Sequence, residues 1–139
     1  MSATLDDSPE QHLWKFSEHR ITQLCIDPSA CRLQTWSLNA SLEIRIGVPF
    51  QLALADGSSR DIDPEAHEQV APLLTLMGRE LLQLTVTRAG SLDVRFSDGT
   101  TLAVDSHPRY EAFEVIGAGA LEGMQYHASR GGGSPWRNL

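Results

Sequence analysis

Cysteine is scarce in this chain: Cys25 and Cys31 are the only two among 139 residues. A disulfide framework in so short a sequence would use more, and a structural zinc site takes about four ligands. The pair reads as small buried hydrophobes that stay thiols in a reducing compartment. Long apolar runs are missing too. No stretch approaches the roughly 20 residues of a spanning helix, so no membrane contact is expected. Residues 1–11 carry Asp6, Asp7 and Glu10 and show no basic-then-apolar pattern, so no secretory leader is expected and the cytoplasm is the default location. Positive charge also falls short: 11 Lys and Arg stand against 18 Asp and Glu, for a net charge of −7 and a pI near 5.1. A phosphate backbone is repelled on average, so nucleic acid is not expected. An acidic surface keeps a protein soluble and suits a basic protein partner.

Familiar chemical motifs are lacking as well. No glycine-rich loop lies between a strand and a helix to cradle phosphate, and Gly131-Gly132-Gly133 has no helix after it. There is no Gly-x-Ser-x-Gly elbow. His12, His19, His67, His107 and His127 form no metal-binding pair spacing. Asp61, Asp63, Glu65 and Glu68 cluster, but paired acids do acid–base work only where an apolar cleft raises one pKa. The plainer reading is a helix cap and a solvated face. No catalytic residue, metal ligand or cofactor is therefore expected, and no enzyme.

What the chain does have is alternation. Its length suits one domain, and 41% hydrophobic with 21% charged residues suits a folded one. Ile21, Leu24 and Ile26 lead to the turn Asp27-Pro28-Ser29, and a run over residues 32–37 places Trp36 in the core. Leu42-Glu43-Ile44-Arg45-Ile46 alternates strictly, and so does Phe50-Gln51-Leu52-Ala53-Leu54 before Asp56-Gly57. Asp63-Pro64-Glu65 predicts a helix start, with Val70, Leu73, Leu74 and Met77 at helical spacing, Pro72 as a kink and Gly78 as the stop. Leu82, Leu84 and Val86, then Leu92, Val94 and Phe96, then Leu102 and Val104 spell a meander whose second turn is Asp98-Gly99. Strands follow over residues 111–116 and 124–128. The expected organisation is a disordered N-terminus (1–12), a single α+β domain (13–128) and a flexible C-terminal tail (129–139).

The halves look alike. Laying residues 21–57 on 81–117 without a gap matches Ile21 with Leu81, Leu24 with Leu84, Ile26 with Val86, Trp36 with Phe96, Ser37 with Ser97, Leu42 with Leu102, Ile44 with Val104, and Phe50 with Tyr110. The expected fold class is α+β: two antiparallel β-meanders forming a quasi-repeat, joined by one helical segment. Period-two patterns also match at every even shift, so chance alignment remains the competing account.

The most distinctive string is Tyr110-Glu111-Ala112-Phe113-Glu114. As a contact surface, Tyr110, Glu111, Phe113 and Glu114 would suit a basic partner. As structure, Tyr110 and Phe113 would be core and the acids solvated. The helix start at 63–65, the string Gly90-Ser91-Leu92 through Phe96-Ser97-Asp98-Gly99 to Leu102-Ala103-Val104, and Tyr110-Glu111-Ala112-Phe113-Glu114 together resemble a widespread bacterial family of small uncharacterised β-rich domains. Its hairpin reads Gly-x-Leu, then Phe-x-Asp-Gly, then Tyr-Glu-Ala-aromatic-Glu. Gly131–Gly133 and Trp136 are similar to its Gly-Gly and Trp ending, though the residues between depart from it. The resemblance implies no established catalysis and a protein-binding role, in its specific form an immunity-type inhibitor of a bacterial toxin. The alternatives are a self-assembling module, a homodimer pairing through sheet edges, and a small ligand-binding or hydrolytic domain using Tyr110, Glu111 or His107 in a concave pocket.

Overall fold

Alternation becomes strand along most of the chain. The computed structural model describes residues 2–36 and 39–136. In chain order the strands are β1 (Ser2–Asp7), β2 (Gln11–Ser17), β3 (Ile21–Ile26), β4 (Cys31–Trp36), β5 (Ala40–Ile46), β6 (Phe50–Ala53) and β7 (Ser59–Ile62). A 3-10 helix, His67–Leu76, follows. Then come β8 (Leu81–Thr87), β9 (Leu92–Phe96), β10 (Thr101–Val104), β11 (Phe113–Gly119) and β12 (Gln125–His127). They build two antiparallel sheets, one ordered β1-β2-β8-β9-β10-β6-β7 and the other β12-β11-β5-β4-β3. The molecule is thus mostly β with one short helix. Among the described residues no helix is long and apolar enough to cross a membrane.

The inner strands bury alternate side chains in one shared core, because successive side chains leave a strand on opposite faces. Leu42, Ile44 and Ile46 of β5, Leu92, Val94 and Phe96 of β9, and Leu102 and Val104 of β10 all meet there. Leu82 departs from the expected alternation and is 40% exposed, while Leu81 is buried. The register of β8 on β9 shifts between Leu81 and Gln83, and such a bulge swaps the faces on one side of it. Trp36, expected in the core, is exposed at the end of β4, and Leu33 and Thr35 point inward instead. The pairing of Ser37 with Ser97 falls outside the described residues.

The two expected antiparallel meanders are each extended by strands from the other half of the chain. After β5 the chain turns at residues 47–49 and β6 joins the other sheet, setting Leu52 opposite Leu102. After β10 it crosses back, and β11 sets Val115 opposite Ile44. Each crossing strand covers a strand edge that a free-standing meander would leave open to water. The ungapped match of Phe50 with Tyr110 does not hold either: Tyr110 lies in the crossing, and β11 begins at Phe113.

The helix differs in period and start. Val70, Leu73 and Leu76 are buried at a spacing of three, which aligns them on one side of a 3-10 helix, whereas Leu74 and Met77 face water. Asp63 does not cap it. Its Oδ1 accepts the Glu65 N–H at 3.0 Å, and the capping position falls to Ala66. Pro72 inside the element has no N–H to give.

The described residues of both terminal segments have backbone partners. Residues 2–7 pair with 12–17, and β2 then pairs with β8. The acids that suggested a frayed segment, Asp6 and Asp7, sit on an edge strand, where charge discourages further pairing. In the tail the Gly131 N–H donates to the His107 carbonyl at 2.7 Å, and Pro135 O accepts the His127 N–H at 2.9 Å. Trp136 stacks on His12 at 4.0 Å, and the Arg88 guanidinium lies over the Trp136 ring at 5.6 Å.

Candidate functional site

The two crossings lie side by side and frame a cleft of about 560 Å³. The Gly47 N–H donates to the Ala112 carbonyl at 3.0 Å, which ties one crossing to the other. The approach is close: a Cβ on residue 47 would stand 3.3 Å from the Glu111 carbonyl oxygen, so glycine lets the loops meet. Val48 and Pro49 line the cleft from one crossing, and His107, Arg109, Tyr110 and Glu111 from the other. Gly131, held by His107, brings Arg130 to the rim.

The charges follow from the strand register. Arg45 has Arg32 and Glu114 as its cross-strand neighbours. Arg32 is already engaged, with Nε 2.9 Å from Asp27 and an Nη 3.1 Å from Glu43. These partners hold its guanidinium pKa above the usual value, the Asp27 hydrogen bond first. Glu114 turns to His127 Nδ1 at 3.3 Å, and His127 Nε2 stands 3.2 Å from Glu111. Arg45 is thus left to the cleft, together with Arg109 and Arg130. Among the described residues none of these three guanidiniums has a carboxylate within ion-pair distance. Asp63 and Glu65 also line the cleft, so it carries both signs. His107 Nδ1 accepts the Arg109 N–H at 3.0 Å, which places the proton of the neutral ring on Nε2. Its ring lies 5.1 Å from that of Tyr110.

The four residues expected to form a contact surface separate. Tyr110, 61% exposed, and Glu111 line the cleft. Glu114 lies just outside it, against His127. Phe113 is 1% exposed: it pairs with Ile46 and points into the core, so it drops out of the surface. Phe113 and Glu114 are successive residues of β11 and so leave the strand on opposite faces. The arginines were missed, since Arg45 read as a solvated strand residue and Arg130 as tail. Only the crossings bring them together. His107, named in the hydrolytic alternative, does line the cleft.

Elsewhere, polar aromatic side chains clasp the two sheets. Trp14 Nε1 donates to Tyr126 Oη at 2.8 Å, and His12 Nδ1 stands 2.8 Å from the same oxygen. Burial lifts the Tyr126 phenol above its usual pKa, against the Trp14 hydrogen bond, and burial lowers that of His12. His19, buried beside Phe16 and hydrogen-bonded to Thr35, is lowered for the same reason. Among the described residues no group of three His, Cys, Asp or Glu side chains is placed to hold a metal ion.

Comparison with known proteins gives a family and nothing narrower. No curated protein and no solved structure matches the chain. One family's sequence model matches residues 13–132, which spans β2 through the anchored tail and takes in the whole cleft. The chain belongs to the family of unknown function DUF6188.

Proposed function

We propose that this chain is a non-catalytic protein-binding domain whose recognition surface is the cleft between the two crossings. One observation carries the reading: Arg45, Arg109 and Arg130 converge beside the exposed Tyr110, and no carboxylate of the described residues pairs with them. Arginine and tyrosine concentrate binding energy at protein interfaces. A guanidinium's fork of donors fits a carboxylate supplied by a partner. The net charge of −7 steers a partner that is basic overall, while the cleft takes one of its acidic side chains or its terminal carboxylate. In its narrowest form the partner is a toxin and this chain its immunity-type inhibitor, a form that small size and acidity support. The test is affinity capture from the native host at low and raised salt, with the wild type and an Arg109→Ala/Tyr110→Ala double variant. A partner released by salt and lost with the double variant is expected. A partner kept by the double variant at unchanged yield overturns the assignment of the surface.

A small anionic ligand is the second reading. It is favoured by the cleft's volume, which falls within the roughly 300–1,000 Å³ of ligand sites. Calorimetric titration with inorganic phosphate separates the two: heat saturating with the wild type and absent with Arg45→Ala would favour it.

A further inference from the structure

The five strands of the smaller sheet run β3-β4-β5-β11-β12, and the larger sheet contains β8-β9-β10-β6-β7. Chain order maps the first set onto the second strand by strand. Each set takes a three-stranded meander from one half of the chain and two strands from the other. The registers agree in detail. The pairing of β3 with β4 shifts between Ile21 and Gln23, and that of β8 with β9 shifts between Leu81 and Gln83. Leu33 opposes Ile44, which opposes Val115; Val94 opposes Leu102, which opposes Leu52. The sets meet reciprocally around the Arg20–Glu80 bridge: the Ile21 N–H donates to Arg79 O at 3.0 Å, and the Leu81 N–H donates to His19 O at 2.7 Å.

The correspondence fails in one place. β8 is covered by β2, with Trp14 opposite Leu84 and His12 opposite Val86, and both Leu84 and Val86 are 0% exposed. Their counterparts on β3 are Leu24 and Ile26. β3 ends its sheet, Leu24 is half-buried and Ile26 is 52% exposed. Beyond the strand's first residue, whose carbonyl accepts from Gly78, no described residue outside β4 hydrogen-bonds to the backbone of residues 22–26. The other sheet ends are blunted: β1 carries Asp6 and Asp7, β7 carries Arg60 and Asp61, and β12 is three residues long. Residues 22–26 contain neither charge nor proline, two of the guards of an open edge, and the one irregularity of the strand is the shift between Ile21 and Gln23 at its start.

We propose that β3 is a vacant strand-pairing edge and that it is filled by β3 of a second copy of this chain, antiparallel about a two-fold axis. An antiparallel edge is complementary to itself under such an axis. Centred on Leu24, the pairing sets Leu24 against Leu24 and Thr22 against Ile26, apolar against apolar or neutral, with no charge buried. The inference goes beyond the cleft reading and stands without it.

Light scattering at high micromolar concentration tests it on the wild type and Ile26→Lys, with Thr22→Lys as a second variant on the same edge and Trp36→Ala as a control on the exposed outer face. The expected result is a wild-type mass twice 15.3 kDa, kept by the control and halved in both edge variants with unchanged far-ultraviolet circular dichroism. A wild-type monomer, or a dimer that survives both edge variants, overturns it. So does a dimer lost only in Trp36→Ala.

Discussion

Trp14 and Tyr126 share a 2.8 Å hydrogen bond that ties the second strand of the larger sheet to the last strand of the smaller one. The same hydroxyl meets His12, which in turn stacks on Trp136. Tyr126→Phe keeps the ring and leaves the half-buried Trp14 N–H without its acceptor. The expected loss is about 1–3 kcal/mol, read as a lower urea midpoint at unchanged slope. An unchanged midpoint would show that water replaces the hydroxyl at no cost.

Two histidines contribute to the acid side of the stability profile. Burial lowers the pKa of His19 and of His12 below the usual 6.5. The unfolded chain therefore takes up protons before the folded one as pH falls through that value. The stability these neutral rings contribute is complete above about pH 6.5 and is lost as pH drops toward their folded pKa values. The urea midpoint should fall between about pH 7.5 and about pH 5.5. His19→Gln should flatten that fall while lowering stability at neutral pH. A slope unchanged in His19→Gln would remove His19 from this account.

Gly117 faces Leu121 across the turn that leads from β11 to β12. A Cβ there would stand 2.8 Å from the Leu121 side chain and closer still to its carbonyl oxygen. Backbone cannot yield as a flexible side chain can, so Gly117→Ala should cost at least roughly 1–3 kcal/mol. Thermal unfolding reads this directly, and a melting temperature equal to wild type would mean that the turn relaxes freely.

The thiols should separate by reactivity. Cys31 is fully buried and its pKa is pushed up to about 12, by burial first and Asp27 second. Cys25 is half-buried on the open β3 edge. Only Cys25 should react with a thiol reagent in the native protein, and both in denaturant. Equal native rates would mean that β4 opens readily. If β3 pairs with a second copy, the Cys25 rate should also fall with rising protein concentration.

Local pattern spoke clearly where one strand face is buried. The alternation of β5, β9 and β10 survives intact, and the Asp98-Gly99 turn forms with Gly99 at φ +91° and the Asp98 carboxylate accepting the Thr100 N–H at 2.9 Å. Alternation states which face of a strand is buried but not which strand lies next to it. That is why the crossings at 47–49 and 105–112 were invisible, and with them the gathering of Arg45, Arg109 and Arg130. Val70, Leu73, Leu74 and Met77 fit a period near 3.6 while Val70, Leu73 and Leu76 fit a period of three, so the spacing of apolar residues left both helix types open. Tyr110 and Glu111 were legible as a distinctive string. Phe113 needed only its strand parity taken seriously.

The interleaving of the two halves also sets a timetable. Ile44 leaves the ribosome long before Val115, and β5 cannot be covered on its second side until β11 follows. At roughly 5–20 residues per second, the first meander waits several seconds with an apolar edge uncovered. Contacts so distant in sequence also make folding slow once the chain is released. Newly made chains should therefore depend on holding factors, or on dilution, more than the finished protein's stability would suggest.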